Sequence, residues 1–255
     1  MVLIDTHAHL YSEQFEEDRN EVLQRAFEEG VEKIFLPNVD SESIKGMLDL
    51  EVAFPDKCYP LMGLHPCSVK ENYKEELKIV EKWLSERSFK AVGEIGIDLY
   101  WDKSTFEEQK IAFRQQIAWA KDLNIPIIIH ARDSIDEIIE IVKAEKDERL
   151  TGIFHCFTGT SKQAQQIMDL EFYMGLGGVL TFKKSGLDAV IKEVPMDYLV
   201  LETDAPYLAP TPKRGKRNES SYIKYVATKL ATVKDVTEEY VAEMTTKNAL
   251  TVFKV

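Results

Sequence analysis

The chain has 255 residues, of which 44% are hydrophobic and 30% are charged, and its formal net charge is -12 at neutral pH. The acidic balance disfavours nonspecific adhesion to nucleic acid, which needs a basic surface. The sequence shows neither a signal-peptide pattern nor an apolar run long enough to cross a membrane, so we expect a cytoplasmic protein. Its three cysteines have no CxxC spacing and indicate neither a disulfide framework nor a thiolate zinc site.

Apolar periodicity predicts eight strands that alternate with helices. The strands are expected at 2–6, 32–37, 58–64, 90–95, 125–130, 151–156, 172–177 and 198–203. The helices are expected at 14–29, 41–53, 70–87, 105–123, 134–147, 161–170, 183–193, 218–232 and 237–252. Eight strand-helix units predict a closed (β/α)8 TIM barrel, with residues 1–255 forming one domain. A doubly wound open sheet is the alternative, but Asp5-Thr6-His7-Ala8-His9 stands where that fold carries a glycine-rich turn.

All five histidines of the chain fall at the carboxyl ends of predicted strands. His7 and His9 follow the first strand, and the other three end later strands, namely His65, His130 and His155. An isolated His-x-His could equally lie in a turn. Because a closed barrel brings the carboxyl ends of its strands together, we expect the five imidazoles to line one site, in which four of them bind metal.

Carboxylates end two further strands. Glu94 lies in an apolar run, so it must be protonated, bound to metal or paired with a lysine or arginine. Glu202 and Asp204 share one face of the eighth strand, and we expect one of them at a metal and the other orienting a histidine. So many ligands suit two divalent cations that share a carboxylate. Imidazole and carboxylate ligands leave Mg, Mn and Zn all open.

Six motifs run from the first predicted strand to the last: Asp5-Thr6-His7-Ala8-His9, Gly63-Leu64-His65-Pro66, Gly93-Glu94-Ile95-Gly96-Ile97-Asp98, His130-Ala131-Arg132, His155-Cys156-Phe157-Thr158-Gly159 and Glu202-Thr203-Asp204-Ala205-Pro206-Tyr207. Together they resemble the TatD family of metal-dependent deoxyribonucleases, which are amidohydrolase-like barrels. The resemblance implies hydrolysis of DNA phosphodiester bonds, by removal of nucleotides from a 3′ end. It implies two divalent metals that share Glu94, the first also held by His7, His9 and Asp204 and the second by His130 and His155.

Within that scheme we expect Asp204 and the shared Glu94 to be catalytic, with Asp204 orienting the attacking water and accepting its proton. His65 and Arg132 are expected to contact the phosphate or the leaving group, although a supporting role fits His65 nearly as well. Glu202 is expected to support a ligand, and Asp5 lies deeper and is expected to hold the floor of the site.

A basic run, Lys213-Arg214-Gly215-Lys216-Arg217, follows the eighth strand. It is either a solvated loop or a local attraction for a DNA backbone, in which case Lys213 and Arg217 contact substrate. Tyr207 and Trp101 either stack on a base or anchor their loops. We therefore expect DNA as the partner, either single-stranded or duplex, with no membrane and no obligate protein partner.

The alternative function is hydrolysis of a small amide, ester or lactone on the same barrel. A binding protein that keeps the ligands without catalysis is a third reading, which the complete ligand set disfavours.

Overall fold

The computed structural model describes all 255 residues and contains eight strands, each followed by a helix. The strands are β1 (Leu3–Asp5), β2 (Val31–Pro37), β3 (Cys58–Leu61), β4 (Val92–Asp98), β5 (Ile127–Arg132), β6 (Gly152–Phe154), β7 (Tyr173–Leu176) and β8 (Leu199–Leu201). The helices are α1 (Arg19–Glu28), α2 (Ile44–Ala53), α3 (Tyr73–Glu86), α4 (Phe106–Leu123), α5 (Ile135–Glu145), α6 (Ser161–Asp169), α7 (Leu187–Glu193), α8 (Ile223–Lys234) and α9 (Glu238–Phe253).

The strands pair in parallel in two runs, β1-β2-β3 and β4-β5-β6-β7-β8. Single parallel bridges join the runs at both ends, Met62 with Val92 and Ala8 with Ala205. The second junction is supported by the Thr6 N–H, which donates to the Leu201 carbonyl at 3.1 Å. The eight strands thus form a ring, and the prediction of a TIM barrel is confirmed.

Several boundaries differ from the predicted ones. The fourth strand runs to Asp98 because its pairing with β5 continues to the Asp98–Arg132 pair, so the prediction that Glu94 ends this strand is wrong. Likewise, His130 lies inside β5. Helix α8 begins at Ile223 rather than at 218, because Asn218 donates its side-chain amide to loop carbonyls and a short 3-10 turn precedes the helix.

An apolar layer fills the lower part of the ring. Seven strands or their flanks each contribute one buried side chain: Ile4, Phe35, Leu61, Ala91, Ile128, Ile153 and Val200. Helix α9 covers this layer with Ala249, Val252 and Phe253, which share one helix face at spacings of three and four residues. The rings of Phe253 and Phe35 stack with centroids 3.6 Å apart. Helix α9 therefore closes the floor of the barrel.

None of the helices is both long enough and apolar enough to cross a lipid bilayer.

Candidate metal centre

A polar layer lies directly above the apolar floor. Three strands place a polar residue two positions after a floor residue: His130 after Ile128, His155 after Ile153 and Glu202 after Val200. Because strand side chains alternate between two faces, these side chains also point into the ring, one layer higher. Gly175 leaves room for this layer, since a Cβ there would lie 2.1 Å from Glu202 Oε2.

Glu94 occupies the middle of the polar layer and is 2% exposed. Its Oε2 lies 3.1 Å from His7 Nε2 and 3.4 Å from His9 Nε2. Its other oxygen, Oε1, lies 2.7 Å from His130 Nδ1, 2.9 Å from His155 Nε2 and 3.3 Å from His65 Nε2. Each carboxylate oxygen thus faces its own group of imidazoles, as a carboxylate shared by two cations would.

Asp204 approaches the His7 and His9 side of this cluster. Its Oδ1 lies 3.8 Å from His7 Nε2 and 3.7 Å from His9 Nε2. The residue has a left-handed backbone with φ of 57°, and its N–H donates to the His7 carbonyl at 2.9 Å. This bond ties the loop after β8 to the loop after β1.

The electrostatics of the cluster centre on the Glu94 charge. Burial alone would raise the pKa of Glu94, but His155, His65 and His7 outweigh it and hold that pKa well below its usual range. Burial alone would lower the pKa of His155, yet the Glu94 and Glu202 carboxylates raise it well above 6.5. The cluster therefore keeps the buried Glu94 carboxylate ionised among imidazoles, an environment that also suits divalent cations.

Hydrogen bonds orient two of the imidazoles, those of His9 and His130, through their second nitrogen, and a carboxylate faces the second nitrogen of a third. The Tyr11 hydroxyl donates to the Pro37 carbonyl, so it accepts from His9 Nδ1 at 2.8 Å and leaves His9 Nε2 with its lone pair free for a metal. Asp98 Oδ2 lies 2.9 Å from His130 Nε2, and Glu202 Oε1 lies 3.4 Å from His155 Nδ1. These carboxylates have the geometry of outer partners of a metal site.

The sequence predictions missed Tyr11 and Asp98. Both had a signal in the sequence, because Tyr11 stands two residues after His9 and Asp98 closes the Gly93-Glu94-Ile95-Gly96-Ile97-Asp98 motif. Neither residue could be given a partner without the fold.

His65 has a different hydrogen-bond pattern. The Cys67 N–H donates to His65 Nδ1 at 3.0 Å, which places the imidazole proton on Nε2. Burial lowers the pKa of His65, which favours this neutral form. The Nε2 proton points at Glu94, so His65 is built as a hydrogen-bond donor rather than as a metal ligand.

Asp5 lies away from the cluster. Its oxygens accept from the Thr203 N–H at 2.9 Å and the Thr203 hydroxyl at 2.6 Å, and burial raises its pKa to about 7. Asp5 thus ties β1 to the chain after β8, beneath His7. Its supporting role stays a prediction.

The residues present fit bound cations. Three triads have ligand atoms within 4.8 Å of one another: His7 with His9 and Glu94, His7 with His155 and Asp204, and His65 with Glu94 and His130, the last with His65 as the hydrogen-bond donor. Three buried atoms of the polar layer, His7 Nδ1, His155 Nδ1 and Glu202 Oε2, have no hydrogen-bond partner. Imidazole nitrogens and carboxylate oxygens that come together as they do in these triads are typical of a metal centre.

The cluster opens into a cleft of about 1080 Å³ whose wall includes Arg132, Trp101 and Tyr207. Trp101 is 68% exposed and Tyr207 is 53% exposed. The Arg132 guanidinium lies 4.0 Å from the ring centroid of Tyr100 and 5.4 Å from that of Trp101. The cleft therefore presents one fixed cation and exposed aromatic faces beside the metal centre.

The basic loop does not reach this wall. Arg217 forms a double hydrogen bond with the Asp18 carboxylate, at 2.8 and 2.6 Å, and lies over the Phe15 ring. The Lys213 ammonium lies 5.0 Å from the Tyr222 ring centroid. Arg217 already has an internal partner, and Lys213 lies outside the cleft lining.

Comparison with known proteins places this centre in a family. A family model described as TatD related DNase matches residues 4–254. The chain belongs to the TatD family. It is 42% identical over its whole length, and over the whole length of the relative, to the "uncharacterized metal-dependent hydrolase YabD" of Bacillus subtilis. It is 32% identical, over 99% of each chain, to the "3'-5' ssDNA/RNA exonuclease TatD" of Salmonella typhimurium.

A solved structure of the TatD family agrees with the fold. The crystal structure of YjjV, a TatD homologue from Escherichia coli K12, matches this chain with a TM-score of 0.93 and 31% identity, covering 99% of this chain and 98% of that one. This TatD-family chain is thus a metal-dependent hydrolase, as the sequence motifs implied.

Proposed function

We propose that this protein is a two-metal phosphodiesterase that removes nucleotides from the 3′ end of single-stranded DNA. The observation that carries the proposal is the shared Glu94 carboxylate, with His7 and His9 on one oxygen and His130 and His155 on the other. In this reading His7, His9, Glu94 and Asp204 hold one cation, and Glu94, His130 and His155 hold the second. Bound divalent cations would lower the pKa of a coordinated water and neutralise charge on the phosphate.

Asp204 is the proposed base. It lies on the rim of the cluster, with 14% of its side chain exposed, so a water molecule can reach it. Burial raises the pKa of Asp204 to about 6. A pKa near neutrality suits a group that orients the attacking water and accepts its proton.

His65 and Arg132 are the proposed contacts of the phosphate and the leaving group. The His65 Nε2 proton lies beside Glu94. From His65 it can move to a phosphate oxygen or to a departing alkoxide. Arg132 is held against Tyr100, so its planar guanidinium is pre-arranged for two hydrogen bonds to a phosphate. Trp101 and Tyr207 supply exposed rings on which a base can stack.

The name of the Salmonella typhimurium relative supports a single-stranded nucleic acid as substrate. The test uses metal-stripped protein, added Mg or Mn and 3′-labelled single-stranded DNA. We expect stepwise release of nucleotides that EDTA abolishes and His130→Ala removes, while Gln165→Ala on exposed α6 retains full activity. Turnover of small esters or lactones without any cleavage of DNA would overturn the proposal in favour of the alternative hydrolase.

A further inference from the structure

The ring of strands is interrupted between β3 and β4. Only one bridge joins them, where the Met62 N–H donates to the Ala91 carbonyl at 3.2 Å and the Gly93 N–H to the Met62 carbonyl at 3.0 Å. Above this bridge the two segments carry His65 on one side and Glu94 to Asp98 on the other. The backbone groups at this opening need other partners, because buried amides without hydrogen bonds are costly.

Asn38 pairs with backbone groups of Gly63, Gly93 and Glu94, and two glutamines of α4 supply the partners of Leu64 and Asp98. Gln116 Oε1 accepts from the Leu64 N–H at 2.7 Å, and its Nε2 donates to the Leu64 carbonyl at 3.3 Å. Gln109 Oε1 accepts from the Asp98 N–H at 2.8 Å, and its Nε2 donates to the Asp98 carbonyl at 3.2 Å. Each side-chain amide thus pairs with both backbone groups of one residue, as a neighbouring strand would.

The two glutamines act from one rigid support. They are 2% and 1% exposed, and their separation of seven residues, about two helical turns, puts them on the same face of α4. The residue that Gln116 holds, Leu64, directly precedes His65. The residue that Gln109 holds, Asp98, contacts His130 through its carboxylate.

We propose that Gln109 and Gln116 are positioning residues of the metal centre. They supply backbone hydrogen bonds that a longer β3–β4 ladder would provide. Each also holds in place a different histidine that contacts Glu94. Gln109 acts through Asp98 on His130, a proposed metal ligand, whereas Gln116 acts through Leu64 on His65, a proposed proton donor. Loss of Gln109 should therefore weaken metal binding, and loss of Gln116 should slow turnover while metal binding is retained.

The test compares Gln109→Leu and Gln116→Leu with Asn248→Leu. Asn248 is a matched control because it is a buried amide on α9 that donates to the Met196 and Leu199 carbonyls, both at 2.8 Å, near the floor. Manganese affinity is measured by calorimetry, folding by thermal unfolding, and turnover on a chromogenic phosphodiester. A visible spectrum of the cobalt-loaded protein reports on ligand geometry.

We expect Gln109→Leu to weaken manganese binding about tenfold and to alter the cobalt spectrum, in the range known for outer partners of metal ligands. Gln116→Leu should lower kcat about tenfold with manganese affinity within about threefold of the parent. Asn248→Leu should lower Tm without either effect. If both glutamine variants change only Tm, as the control does, the proposal is wrong.

Where a leucine variant does not fold, Gln109→Glu and Gln116→Glu replace it. These variants keep the acceptor for the backbone N–H and lose the donor to the carbonyl, so each should show the same type of defect in weaker form. Parent-like metal affinity in Gln109→Glu together with parent-like kcat in Gln116→Glu would overturn the proposal.

The metal titration needs no substrate. A parent protein that binds manganese but cleaves no phosphodiester would therefore overturn the proposed function and the Gln116 assignment, and leave the Gln109 assignment standing.

Discussion

The floor of the barrel and the polar layer above it are built from the same strands but differ in the side chains that fill them. At the floor, Phe35 and its neighbours pack against Phe253 of α9, and shape alone decides how well they fit. One layer higher, Glu94 is buried with three imidazoles and contacts two partly exposed ones, and each buried polar atom needs its own partner. In β5 the step from Ile128 at the floor to His130 in the site is only two residues.

This contrast teaches that successive inward-facing layers separate stability from chemistry along one strand. Substitutions at the floor should change the free energy of unfolding and leave the metal centre intact. Substitutions in the polar layer should change metal binding and catalysis more than folding, because the buried apolar clusters lie outside that layer.

The largest expected effect is at the centre of the polar layer. Glu94→Gln removes the charge that faces all five imidazoles. Loss of an outer partner lowers metal affinity roughly 10–100-fold, and loss of the Glu94 charge should lower it further. Hydrolysis should become undetectable. Calorimetric titration with manganese and a nuclease assay measure both quantities. An active Glu94→Gln variant would contradict the two-metal reading.

The corresponding change at the floor is Phe253→Ala. Removal of the stacked ring should destabilise the protein by about 3–5 kcal/mol, measured by urea unfolding. Manganese affinity of the folded protein should stay unchanged, and the exposed Thr251→Ala on the same helix should alter neither quantity. A parallel loss of metal affinity in Phe253→Ala would show that the two layers are not separable.

A smaller effect should follow from acidity alone. Burial raises the pKa of Asp204 to about 6, and Glu94 and Glu202 overcome burial to raise the pKa of His155 well above 6.5. Both groups must lose protons before they can bind a cation, so manganese affinity should fall at least tenfold for each pH unit below 6. Titrations in buffers of different ionisation enthalpy count the protons released, and Asp204→Asn should reduce that number.

The smallest effect concerns the basic loop. Lys213→Ala should raise KM for DNA about twofold at low salt and have no effect at high salt, because its contribution is long-range and screened. Lys247→Ala on α9, at the opposite end of the barrel, is the matched control. If Lys213→Ala lowers kcat at any salt concentration, the loop contacts the substrate directly.

Much of the molecule could be predicted from the sequence because the pattern is local. Alternating strands and helices indicated the barrel, and the positions of His7, His9 and His155 after their strands indicated a common site. The contacts of Glu94 with all five imidazoles could not be predicted in the same way, because the position of Glu94 depends on a register shift between Val92 and Ile95.

Other features depend on partners distant in the chain. Gln116 contacts a residue 52 positions away, and Arg217 pairs with Asp18 at a distance of 199 positions. A charge run such as Lys213 to Arg217 therefore looks exposed in the sequence even where one of its members is already paired. Only the closed ring brings these partners together.

The position of α9 after all eight strands has a consequence for biosynthesis. During translation β1 to β8 leave the ribosome before the face that carries Val252 and Phe253 exists, so the apolar layer of the barrel stays open to water and to other chains. The final folding step must wait for α9. A nascent chain stalled before residue 238 should therefore be a client of chaperones, whereas one extended beyond residue 253 should be released from them.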